Sequence, residues 1–150
     1  MRYLAVLGRQ PEISLAELSA LFSRVNQISD ELATFSADKE PSINRLGGCL
    51  KIAVELSNSP LDCLTALPEG KITIGVSDYS AHSSARKAQG EALKLKKILA
   101  RHGRSVRVVE NKSATLSTAT SLHNGLGGLK TNKVELILVN ENLLFVPLLL

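Results

Sequence analysis

The sequence predicts an α/β protein, in the looser α+β sense, with a small first unit over residues 1–69 and a second over residues 70–150. Three observations predict it. Strand-like and helix-like hydrophobic patterns alternate along the whole chain. The hydrophobic content of 44% suffices for a packed core, and only Tyr3, Phe22, Phe35, Tyr79 and Phe145 are aromatic, so that core is aliphatic. The charge also changes sign: residues 1–69 hold 6 Lys/Arg against 9 Asp/Glu, and residues 70–150 hold 12 against 5.

In the first unit, Arg2–Leu7 is a short apolar run ended by Gly8 and reads as a strand. Ser14–Ser23 reads as a helix, with Ser14 and Glu17 as an S-x-x-E capping box and Ile13 with Leu18 as its hydrophobic staple. Leu15, Leu18, Ala20, Leu21 and Phe22 are its expected buried side. A weaker strand pattern covers Ile28–Ser36, and Pro41–Leu46 reads as a short helix leading to Gly47-Gly48. Leu50, Ile52, Val54 and Leu56 alternate with Lys51, Ala53 and Glu55, the period of a half-buried strand. This order suggests a ferredoxin-like unit, completed by a helix at Pro60–Leu67, with Pro68-Glu69-Gly70 as the junction.

The second unit has sharper signals. Ile72, Ile74 and Val76 alternate with Thr73, Gly75 and Ser77 in a strand. Ser84 can cap a long helix over Ala85–His102, which Gly103 can end. Val106 and Val108 flank an outward Arg107. Thr115–Leu126 reads as a helix with Leu116, Ala119, Leu122 and Leu126 on one side, and Val134–Val139 as a strand apolar enough to be covered on both faces. Gly125–Gly128 lies between helix and strand, opposite to a P-loop, and reads as a flexible connection leading to Lys130 and Lys133. The final run, Leu143–Leu150, is apolar and interrupted by Pro147, which suggests an edge strand; either it docks into the sheet or, the favoured reading, the chain continues into another domain.

Composition excludes several functions. Five aromatic residues are too few for the stacking platforms of single-strand binders. Cys49 and Cys63 form no CxxC pair and read as reduced, buried thiols of a cytoplasmic protein. His82, His102 and His123 lack ligand spacing, so no metal is expected. The N-terminus is no signal peptide, and no apolar run approaches the ~20 residues that cross a bilayer, so no membrane partner is expected. No G-x-S-x-G, H-E-x-x-H or Walker A motif occurs, and no nucleophile has a paired base, so no catalytic residue is assigned.

What remains is basic charge. On a helical wheel at ~100° per residue, Ala85, Ala88, Ala92, Leu95, Leu99 and His102 share one face, while Arg86, Lys87, Lys94, Lys97 and Arg101 share the opposite one. A solvated face usually mixes signs to gain i,i+4 pairs, whereas this stripe contains no acid. Arg104 and Arg107 can extend it. Asn111-Lys112-Ser113-Ala114-Thr115-Leu116-Ser117 then offers a lysine and hydroxyls that could hold a phosphate, although capping by Ser113 or Thr115 would explain it equally. The charge asymmetry points to a polyanion met by the second half.

The motif order RYLAVLGRQPEISLAELSALF, RLGGCLKIA, ITIGVSDY, EALKLKKILARHGRSVRVVENKSATLSTATSLHNGL and VELILV resembles the N-terminal half of the tRNA guanosine-10 N2-methyltransferase family. That half is a ferredoxin-like domain followed by a THUMP domain. The resemblance implies a tRNA-binding module that holds the acceptor arm and its 3′ CCA end. It also implies that S-adenosylmethionine belongs only to a separate methyltransferase domain, in cis or in trans, whose acidic-or-amide Pro-Pro-aromatic motif is missing here. The matching stretch places Lys97, Arg101, Arg104, Arg107, Asn111, Lys112, Thr115, Ser117 and Asn124 on or near the RNA face. With Arg86, Lys87 and Lys94 from the wheel, these are the candidate contacts. The alternative reading is a protein-interaction or small-ligand regulatory domain on ferredoxin-like units.

Overall fold

Arg2–Leu7 is strand β1, whose last five residues are buried. A computed structural model describes residues 1–140 and 143–148, with 143 and 144 described by backbone alone; the apolar ending at Leu149 and Leu150 lies outside the described residues. The fold is mixed α/β as expected, and contacts divide the chain after Glu55.

The first unit continues with α1 (Pro11–Leu21), β2 (Ser23–Gln27), β3 (Leu32–Ser36), a 3-10 turn (Ile43–Arg45) and β4 (Cys49–Glu55). Its strands run in the order β2-β3-β1-β4, every neighbouring pair antiparallel. That is the ferredoxin-like order, with the second helix shortened to one 3-10 turn. The weak strand pattern at Ile28–Ser36 covers a turn and β3, the second arm of a hairpin whose first arm, β2, precedes it and is not among the expected elements. Leu32, Ala33 and Phe35 are buried, and Phe35 stacks on Tyr3 and Phe22 at centroid distances of 5.5 and 4.6 Å.

Local sequence signals misplace three features here. Helix α1 starts at Pro11, not Ser14, because proline fixes the helical φ and needs no N–H partner in the first turn. The expected capping box is something else. Ser14 lies inside the helix, where its Oγ donates to Gly48 O (2.5 Å) and accepts from Gly8 N (3.3 Å). Glu17 accepts from the N–H groups of Gly47 (2.7 Å) and Gly48 (2.9 Å), so the pair clasps a distant loop. Of the side expected to be buried, Leu18 is, while Ala20 and Leu21 are exposed. In β4 the expected alternation does not hold: Cys49, Lys51 and Ala53 are buried together with Ile52, and Leu50 is exposed, so side chains on both faces of the strand are covered.

The second unit holds α2 (Pro60–Thr65), β5 (Ile72–Asp78), α3 (Ala85–Arg101), β6 (Val106–Val108), α4 (Thr118–His123), β7 (Lys133–Asn140) and β8 (Leu143–Pro147). Its strands run β8-β7-β5-β6, with β5 parallel to β6 and β7 and β7 antiparallel to β8. Every residue of β5 is buried, as befits a central parallel strand. Helix α2 packs on α3, so it belongs with this unit and not with the first. Helix α3 starts where expected, with Ser84 Oγ accepting from Lys87 N, and Gly103 follows it at φ +79°. Ala88, Ala92 and Leu99 are its buried stripe; His102 is exposed instead, its Nδ1 2.9 Å from Ile98 O.

Two further expectations are corrected. Helix α4 is one and a half turns long, not three, and buries Ser121 while Ala119 and Leu122 are exposed. The reason lies in β7, where Glu135 is 1% exposed amid apolar neighbours. Ser121 Oγ donates to Glu135 Oε1 (2.6 Å) and Ser77 Oγ to Oε2 (2.9 Å), so a polar face of α4 turns inward to satisfy a buried carboxylate. The Gly125–Gly128 stretch is also not loose. Gly127 exchanges backbone hydrogen bonds with Lys133 and Glu135, and a Cβ on Gly128 would lie 2.5 Å from Pro147 O.

Candidate nucleic-acid interface

Beside β6 the second unit opens a groove of about 490 Å3. Arg107 and Val109 come from β6 and its end, Glu110, Lys112, Ser113, Thr115 and Leu116 from the following loop, and Ser117, Ala119, Thr120, His123 and Asn124 from α4 and its caps. Strand alternation explains Arg107: Val106 is buried next to it, so the arginine must face outward. The loop wall is fixed from beneath. Ser77 Oγ, which holds Glu135, also accepts from Leu116 N at 2.9 Å, and Ser117 Oγ caps α4 by accepting from Thr120 N at 3.1 Å.

The groove therefore gathers five residues predicted from sequence: Arg107, Lys112, Thr115, Ser117 and Asn124. Two of them are joined, since Arg107 donates to Asn124 Oδ1 at 3.1 Å. Asn124 is also the C-cap of α4, with Nδ2 donating to Thr120 O at 2.9 Å. The chemistry on offer is two cations, four hydroxyls, an imidazole, one amide and one carboxylate. Such a set can hold phosphate and sugar oxygens. No Phe, Tyr or Trp ring lines it.

The other predicted residues fall in three places. Arg86, Lys87, Lys94, Lys97 and Arg101 all lie exposed on α3, which packs on β5 and β6. Two of these five are engaged: Lys87 Nζ donates to His82 O at 2.8 Å, and Lys94 pairs with Glu91 at 3.1 Å. The stripe is thus not free of acid, because a glutamate one turn earlier reaches in. Arg86, Lys97 and Arg101 have no hydrogen bond or ion pair to any described residue.

Arg104 sits elsewhere and does a different job. Its guanidinium donates to the carbonyls of Thr65 (3.4 Å), Leu67 (3.1 Å), Pro68 (2.6 Å) and Gly70 (3.2 Å). It clasps the end of α2 and the turn that follows, so this guanidinium is already engaged within the unit. Asn111 is engaged likewise. It is buried, its Nδ2 donates to Val76 O (2.8 Å) and Ser113 O (3.2 Å), and its backbone N–H donates to Gln89 Oε1 at 2.6 Å. It anchors the loop from which Lys112 projects.

Glu110, Thr120 and His123 line the groove without having been singled out by sequence. Only knowledge that α4 is short and lines the same groove as Arg107 of β6 would have flagged them. Burial, with the Glu17 carboxylate adding to it, pushes the Cys49 thiol up to about 11, which keeps it protonated and unreactive near neutrality. The half-buried Cys63 thiol is raised by burial and then by Asp62, and both cysteines are free. Among the described residues, no three His, Cys, Asp or Glu side chains gather as metal ligands, and no helix is long and apolar enough to cross a membrane.

Comparison with known proteins yields no matching family model and no matching curated protein.

Proposed function

We propose that this chain binds RNA, with the acceptor arm and 3′ CCA end of tRNA as its target. In this reading it is the substrate-holding part of an S-adenosylmethionine-dependent guanine N2-methyltransferase, whose catalytic domain and cofactor are supplied from outside these residues, in cis or in trans. The observation that carries the reading is the groove of Arg107, Lys112 and four hydroxyls in the same unit as the unpartnered cations of α3. Phosphate contacts from such cations supply most of the affinity for a nucleic acid, and hydroxyls fix its register. Phosphate and sugar contacts of this kind recognise the bound form chiefly by shape and backbone.

The test is a fluorescence-anisotropy titration with intact tRNA, the same tRNA lacking its CCA end, and an unrelated duplex of equal length, at two salt concentrations. Preference for intact tRNA that survives the higher salt is expected. With about five phosphate contacts, affinity falls with a log–log salt slope near −4 to −5 on duplex RNA, and less on single strands. Equal, salt-sensitive binding to all three would reduce the reading to a basic surface. No binding would replace it with the interaction-domain reading.

A further inference from the structure

We infer that Glu110 is a specificity-determining residue that reads the amino edge of one unstacked nucleotide held in the β6–α4 groove; the inference rests on the RNA-binding reading above. The starting point is an anomaly of charge. A groove that served only phosphates would gain nothing from a carboxylate, which repels them. Glu110 nevertheless lines the same groove as Arg107 and Lys112, and it pairs with neither nor with any other described residue.

The remaining groups narrow what that carboxylate can meet. Arg107 and Lys112 only donate, and each suits a phosphate or a base carbonyl. Asn124 is engaged at both ends of its amide, by Arg107 and by Thr120. An ionised Glu110 only accepts, and is the one acceptor-only side chain in the lining. Its counterpart is therefore a donor carried by a ligand whose phosphate the two cations hold.

Size and polarity point the same way. About 490 Å3 is within the range of pockets that enclose one small molecule, and is too little for a duplex. No Phe, Tyr or Trp lines the groove, and stacking on the His123 ring or the Arg107 guanidinium would not tell one base from another, so a base entering it is discriminated by its edge. Carboxylates accept from the exocyclic amino group of cytosine. Uracil carries a carbonyl at the same ring position, which Glu110 would repel. The substrate class is thus a single-stranded nucleotide with an amino-bearing base, and uracil is the base rejected.

The experiment titrates the full chain and its Glu110→Gln and Glu110→Ala variants with labelled single-stranded oligo(C) and oligo(U) of equal length at one salt concentration. The wild type should favour oligo(C) by at least about fivefold. Glu110→Ala should bring that ratio to about one and raise affinity for oligo(U), and Glu110→Gln should lose the preference as well, since its amide can serve either base. Glu110 is exposed, so both variants should fold with unchanged melting curves. A preference that persists in both variants, or a wild-type ratio of one with binding intact, overturns the role of Glu110 alone. Absence of wild-type binding to these oligonucleotides and to tRNA overturns the RNA-binding reading and this inference with it.

Discussion

In the first unit Glu17 is closed against the backbone N–H groups of Gly47 and Gly48, whereas in the second Arg86, Lys97 and Arg101 face solvent with no partner among the described residues. The net charges are less far apart than this contrast: residues 1–55 hold 6 Lys/Arg and 7 Asp/Glu, and residues 56–150 hold 12 and 7. Counting charge thus understates the difference between the units. What matters is which charges the fold itself has engaged. Within the second unit the same distinction separates Arg104, bound to four carbonyls, from Arg101 three residues earlier, bound to none.

The largest effect should come from pressing on that last pair. Arg104→Ala removes charge-assisted bonds to the α2 turn and should destabilise the second unit by about 2–3 kcal/mol in denaturant melts. Its RNA affinity, measured where the variant is folded, should change little. Lys97→Glu with Arg101→Glu should do the reverse: stability should stay within about 0.5 kcal/mol, and tRNA affinity should fall on the order of 100-fold at low salt. Wild-type affinity in the double variant would break the comparison.

A smaller effect is expected at the clasp of the first unit. Glu17→Ala leaves the Gly47 and Gly48 N–H groups to water and should cost about 1–2 kcal/mol, with no change in RNA binding. Fluorescence anisotropy and thermal melts on the same sample would check both halves of that statement.

The smallest effect sharpens the account of α4. Leu122 is 59% exposed and Ser121 is 7% exposed. Leu122→Ala should fall within about 0.5 kcal/mol of the wild type, while Ser121→Ala should cost about 1–2 kcal/mol by leaving Glu135 short of a donor. A ranking in the opposite order would return the helix to the apolar face that its sequence advertises.

That helix shows where sequence reading succeeds and where it stops. Helix α3 was legible because its caps, its alanine–leucine stripe and its basic face all agree over 17 residues. Strand β5 and the exposure of Arg107 followed from alternation alone. Helix α4 was misread because Leu116, Leu122 and Leu126 fit a helical period by coincidence, while the group that orients it, Glu135, lies on a strand 14 residues beyond Ser121. The Ser14–Glu17 pair misled for a similar reason: a local capping pattern is used for contacts 30 to 34 residues away. Of the twelve candidate contacts, ten lie on α3 or in the groove, and the two that do not, Arg104 and Asn111, are held by partners 22 to 39 residues distant, with Ser113 the one near neighbour among them. Charge type and helical position can be read from a sequence; the carbonyl that claims a guanidinium cannot.

The buried Glu135 also governs how the second unit can come together in time. Its carboxylate leaves water only when Ser121 and Ser77, the latter 58 residues away, arrive on its two oxygens. A strand β7 laid beside β5 before those hydroxyls are in place would leave a carboxyl group in an apolar layer without these partners, which is costly. Pairing of the parallel strands and seating of α4 are thereby tied into one cooperative event, so the wall of the groove is complete whenever the sheet beneath it is.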